Sequence, residues 1–163
     1  AKEVVAVEPL PWAFGVLKRN VEMINLKNVV LVNKALYSVD GQKVRIKDSG
    51  VASSISSEQE VEVETVTIDS IGRFNLVKMD IEGAEGEVIR DDSKWPNYVR
   101  AMAVEMHGDE NLTNVPKVLT YKGFTIREMR RTDLIKNALR NALSHTIDSF
   151  RAEARTETLV KTL

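Results

Sequence analysis

The chain has 163 residues, 43% hydrophobic and 29% charged, with a formal net charge of -1 and no cysteine. That is one domain's length and ordinary globular usage, which excludes disordered, collagenous and coiled-coil chains as well as disulfides, thiolate metal sites and cysteine nucleophiles. The lack of cysteine fits a reducing cytoplasm; the balanced charge argues against nucleic acid as a partner; and with neither a signal peptide nor an apolar run near the roughly 20 residues of a membrane span, no membrane is expected.

Val4–Val7 is a β-branched run ended by Glu8-Pro9 and predicts a buried strand. Phe14, Leu17, Val21 and Ile24 recur at helical spacing through Asn25, and Val29–Val32 is a second strand, giving a parallel, right-handed βαβ unit. Ala35–Ser38 and Lys43–Lys47 flank Val39-Asp40-Gly41-Gln42, a hairpin signal. Residues 48–57 read as a Ser/Gly loop. Val61, Val63 and Val66 predict a half-exposed strand with Glu60, Glu62 and Glu64 on its other face. Phe74–Met79 predicts a strand, Gly83–Arg90 a helix with Glu85 and Glu87 suiting its dipole, and Val99–Met106 a strand. Leu112–Tyr121 reads as a helix stopped by Gly123, and Phe124–Met129 as a strand. Asp133 is placed to cap a helix over Leu134–Leu143, Thr146–Glu153 reads as a last strand and the tail as a short helix. Trp12, Phe14, Trp95, Met79, Met102 and Met106 read as packing residues. Residues 117–163 carry 10 basic and 5 acidic side chains, for which ordinary solvated faces are the simplest reading.

Alternating strands and helices give a single α/β domain with a mostly parallel sheet and helices on both faces. Ligands bind such sheets at the carboxyl ends of strands. Glu8 stands there, suited either to ribose hydroxyls or to capping the next helix. In Lys78-Met79-Asp80-Ile81-Glu82-Gly83-Ala84-Glu85, a lysine interrupts a strand that should be buried, and three carboxylates crowd a glycine. A buried lysine needs a partner, and Asp80 or Glu82 is at hand. The cluster suits acid–base chemistry, or a salt-bridged strand end with a helix cap. Glu105 and His107 share one face at period two. They suit a base, or with Asp80 and Glu82 a Mg²⁺ site, but a hydrogen bond without metal is the favoured reading. His145 is the only other histidine.

Val-Ala-Val-Glu-Pro up to Pro9, then Leu17, Asn20 and Asn25, Val32-Asn33-Lys34-Ala35-Leu36, the Val63–Asp69 segment, the stretch Lys78–Glu85, and Glu105-x-His107 together resemble the FkbM-type family of S-adenosylmethionine-dependent methyltransferases over residues 4–129. The resemblance implies a class I methyltransferase, Rossmann-like fold with one antiparallel strand near the sheet edge. It implies methyl transfer from S-adenosylmethionine to a hydroxyl of a small-molecule or glycan acceptor. Glu8 and Pro9 would lie at the ribose and Asn33, Lys34 and Ala35 near the adenine. Lys78, Asp80, Glu82, Glu105 and His107 would line the methyl-transfer face, with His107 or Asp80 removing the hydroxyl proton.

The resemblance departs at one point. The family's strand and glycine-rich cofactor turn before Glu8 have no counterpart here, and none of the eight glycines stands in a Gly-x-Gly spacing after a strand. The expectation is a domain lacking its usual first, central strand. It is then a piece of a longer enzyme, a homo-oligomer whose partner completes it, or a non-catalytic relative that binds or dimerises.

Overall fold

The computed structural model describes residues 1–48, 59–129 and 158–160. The loop expected at 48–57 apart from Asp48, which ends a strand, the helix at 134–143, the strand at 146–153 and His145 lie outside the described residues. The chain packs as two compact units, Ala1–Gly72 and Arg73–Leu163.

In the first unit, β1 (Val4–Val7) and β2 (Val29–Val32) pair in parallel, and α1 (Pro11–Met23) connects them. Pro11 starts α1, where its fixed φ suits the helix and its missing N–H goes unneeded. Asn25, at φ 55, ends it, because asparagine tolerates the left-handed region. Trp12, expected in packing, is 48% exposed, since α1 buries none of its side chains fully.

β3 (Ala35–Leu36) and β4 (Lys43–Asp48) do not form the expected hairpin: both pair with β5 (Gln59–Val66), β3 in parallel and β4 antiparallel, in the order β3-β5-β4. The reason is Thr65, fully buried on β5. Its Oγ1 donates to the Val39 carbonyl (2.6 Å) and accepts from the Gln42 amide (3.0 Å), so the Asp40-Gly41 turn is tied to β5. The valines and glutamates of β5 alternate as expected, Val63 buried, and Glu60, Glu62 and Glu64 facing Arg45, Lys43 and Lys34. A one-turn α2 (Ile68–Ile71), capped by Thr67, follows.

The second unit holds β6 (Leu76–Met79), α3 (Glu85–Val88), a 3₁₀ turn (Trp95–Tyr98), β7 (Ala101–Glu105), α4 (Asp109–Tyr121), β8 (Arg127–Met129) and β9 (Thr158–Val160). The sheet order is β6-β7-β9-β8. β6 and β7 are parallel, and β9 runs antiparallel to both its neighbours. At 158–160 the tail is thus a strand where a helix was expected; it fills the slot between β7 and β8. The expected Gly83–Arg90 helix shrinks to one turn, because Glu82 and Gly83 enter it at positive φ and Ile89 leaves it at ψ 85. Met79, Met102 and Met106 are buried as expected, along with Val104, Val115, Leu119 and Trp95, whose indole N–H donates to the Val88 carbonyl at 3.0 Å. Among the described residues, no helix is long and apolar enough to cross a membrane.

Candidate active site

In the first unit, Glu8, Pro9 and Asn33 come together where β1 and β2 end. The Asn33 amide donates to the Glu8 carbonyl (2.8 Å) and the Pro9 carbonyl (3.0 Å). Glu8 Oε1 accepts from the Leu10 amide at 2.9 Å, just before α1. The carboxylate therefore supports the helix entry, and a carboxylate has acceptor positions to spare beyond that bond. Lys34 pairs with Glu64, and Ala35 is a buried residue of β3, so neither side chain joins Glu8.

The second unit gathers Lys78, Asp80, Glu82, Glu105 and His107 around the carboxyl ends of β6 and β7. Lys78 is not the buried cation expected: its side chain is 69% exposed, because β6 turns alternate residues outward, and it donates to Asp80 Oδ2 at 2.8 Å. Burial alone would raise the Asp80 carboxyl. The hydrogen bond and charge of Lys78, with smaller contributions from the neighbouring Glu105 and the charge of His107, outweigh burial and hold it below the usual carboxylate range.

Beyond Asp80 the backbone enters the left-handed region twice, at Glu82 (φ 53) and Gly83 (φ 106). Gly83 meets that demand without steric cost; Glu82 meets it at some strain. The double turn folds Glu85 back beneath the loop, where its side chain is 0% exposed. Glu85 Oε1 accepts from the Gly83 amide (3.1 Å) and lies 2.9 Å from His107 Nδ1, while Oε2 accepts from Asn111 Nδ2 at 2.8 Å. Asn111, in the first turns of α4, also donates to the Gly83 and His107 carbonyls (2.8 and 2.9 Å) and accepts from the Gly86 amide at 3.1 Å. Gly86 is glycine because of that approach: a Cβ there would stand 2.5 Å from Asn111 Oδ1.

The other face of the His107 ring looks toward Glu82 Oε2 at 3.6 Å and Glu105 Oε1 at 3.9 Å. Burial alone would lower its imidazole. The bond with Glu85 and the charges of Glu82, Glu85 and Glu105 outweigh burial and hold it above the ordinary 6.5. Asp80, Glu105 and His107 each bring one ligand-type atom within 4.8 Å of the others. In the structure Asp80 pairs with Lys78, and His107 with Glu85. Glu85 appeared in the sequence only as part of a motif and as a helix-dipole partner, and Asn111 had no signal at all.

A half-exposed imidazole among carboxylates, at the ends of parallel strands, can accept and release protons near neutral pH. The chain belongs to the FkbM methyltransferase family: the family's domain model, described as the methyltransferase FkbM domain, matches residues 1–132. It is also similar to a protein called Methyltransferase 1 from Beauveria bassiana (strain ARSEF 2860), 26% identical over an alignment of 157 residues that covers 76% of this chain and 63% of that relative. The chain thus spans less than two-thirds of that relative's length. No solved structure matches it.

Proposed function

We propose that the chain carries methyl transfer from S-adenosylmethionine to a hydroxyl oxygen of a small-molecule or glycan acceptor, with His107 as the general base. The observation that carries this is the imidazole at the end of β7, held on one side by Glu85 and facing Glu82 and Glu105 on the other. Its basicity above that of free imidazole suits removal of a hydroxyl proton. Asp80, Glu82 and Glu105 supply acceptors for the neighbouring hydroxyls of a polyol. Glu8, a carboxylate with acceptor positions to spare at the end of β1, fits the ribose hydroxyls of the methyl donor, and the backbone at Asn33–Ala35 would lie along the base. When bound, the donor supplies a methyl group on a sulfonium. The chain's part is to align the acceptor and take its proton.

Calorimetric titration of the chain with S-adenosylhomocysteine tests the reading. The expected result is micromolar binding, weakened roughly ten- to a hundredfold by Glu8→Ala, since hydrogen bonds to a charged group contribute about 1.5–3 kcal/mol, and unchanged by His107→Gln. No binding at millimolar ligand would overturn it. That outcome would favour the second reading, a non-catalytic relative that binds or dimerises. One observation speaks for the second: among the described residues, β1 and β6 each pair on one side alone, and open edges invite pairing.

A further inference from the structure

Thr65 and Glu85 are the two fully buried polar side chains among the described residues, and Glu85 is the charged one. Taking a carboxylate out of water is costly unless donors replace the water. A four-residue helix would be held by an apolar side chain at lower cost, so the packing of α3 does not account for an acid there. What the acid does provide is an acceptor, and His107 Nδ1 stands 2.9 Å from it.

A carboxylate offers acceptors only, so a neutral imidazole bonded to it carries its proton on Nδ1 and its lone pair on Nε2. Nε2 is 3.6 Å from Glu82 and 3.9 Å from Glu105, both beyond hydrogen-bond length, and the side chain is 29% exposed, within reach of a ligand. Asn111 then locks the pair. One end of its amide holds Glu85 Oε2 and the His107 carbonyl, and the other holds the Gly86 amide, so the carboxylate cannot swing away without breaking the join between α3 and α4.

From this geometry we infer that Glu85 is a positioning residue: clamped by Asn111, it fixes the Nδ1–H form of His107 and aims the Nε2 lone pair at the acceptor hydroxyl. The inference rests on the reading of His107 as the base. In the step it serves, the O–H bond of the acceptor breaks with its electron pair left on oxygen, and the proton bonds to the Nε2 lone pair. The resulting imidazolium keeps its Nδ1–H on Glu85. The charged groups facing the ring are Glu82 and Glu85 from the loop and α3, Glu105 from β7, and Asp80, itself paired with Lys78, from the end of β6.

The test is ¹⁵N–¹H NMR of the imidazoles in the full chain, with a His107→Gln variant to separate His107 from His145. Wild type is expected to show neutral His107 protonated on Nδ1. Glu85→Gln keeps an acceptor oxygen without the charge, so the Nδ1–H form persists while the titration midpoint falls. Glu85→Met removes the acceptor, so both the tautomer preference and the raised midpoint are lost. A wild-type ring protonated on Nε2 overturns the inference, as does a Glu85→Met variant that keeps the wild-type tautomer and midpoint. If Glu85→Met does not fold, the wild-type and Glu85→Gln spectra decide. S-adenosylhomocysteine titration of the same samples is a separate readout: failure there removes the methyltransferase reading and leaves the tautomer result standing.

Discussion

Replacing Asn111 by alanine removes four contacts at once, and they are unequal. The bond to buried Glu85 Oε2 joins a charged group and is worth about 1.5–3 kcal/mol; the bond from the Gly86 amide is a neutral one worth about 1 kcal/mol. The Gly83 carbonyl is exposed, where water can replace the amide, and the bond to the His107 carbonyl is a local one four residues back along the chain, so they add little. The expected loss is therefore about 2–4 kcal/mol, a large share of the 5–15 kcal/mol typical of a domain. Urea unfolding at pH 7, followed by tryptophan fluorescence, reads it directly. With a slope of about 2 kcal/mol per molar, the midpoint should fall by roughly 1–2 M with the slope unchanged. Asn114→Ala, on an exposed position of the same helix, is the control and should stay within about 0.5 kcal/mol of wild type. An Asn111→Ala midpoint no different from that control would refute the assignment of the amide as the clamp between α3 and α4.

Gly86→Ala should cost about 1–3 kcal/mol, because the new Cβ meets an amide oxygen that its own network holds in place. In an Asn111→Ala background that cost should vanish, and a double-mutant cycle by urea unfolding measures the difference. His107 binds its proton more tightly folded than unfolded, so its contribution to stability is complete below about pH 6.5 and is lost as pH rises through its raised folded value. The stability of wild type relative to His107→Gln should therefore decline as pH rises above about 6.5, as thermal unfolding over a pH series will show. Proton abstraction needs the neutral ring, so transfer should rise over the same series.

The strands and helices most legible in the sequence were those whose side chains follow one period without interruption. Val4–Val7 and Val29–Val32 announce their strands, although neither is the buried strand its apolar run suggests, Val4 and Val30 being exposed, and the alternating valines and glutamates of β5 announce its buried face. The acidic cluster was legible because charge breaks an apolar run at Lys78 and Asp80. Glu85 was not, since a glutamate in the first turn of a helix ordinarily faces solvent and suits the dipole. Its burial follows from two consecutive left-handed residues, which local periodicity does not report. Asn111 acts through a single amide on α4 reaching residues about 25 positions earlier, and a spacing rule sees nothing of that kind. The Asp40-Gly41 turn was visible, but the strand its flanks would choose was not, because that choice lay with the hydroxyl of Thr65. β9 joins its sheet across a long stretch of chain, the least local of the pairings described.

Among the described residues β4 is the rim of its sheet, and its outward positions carry Lys43, Arg45 and Lys47, while the facing positions of β5 carry Glu64, Glu62 and Glu60. Two copies of β4 laid side by side would set cation against cation, whereas β4 laid on β5 sets cation against anion. The pattern works as a polarity key: it admits the strand that belongs there and turns away the same strand of another molecule, and so protects an exposed rim from fibre-like self-association.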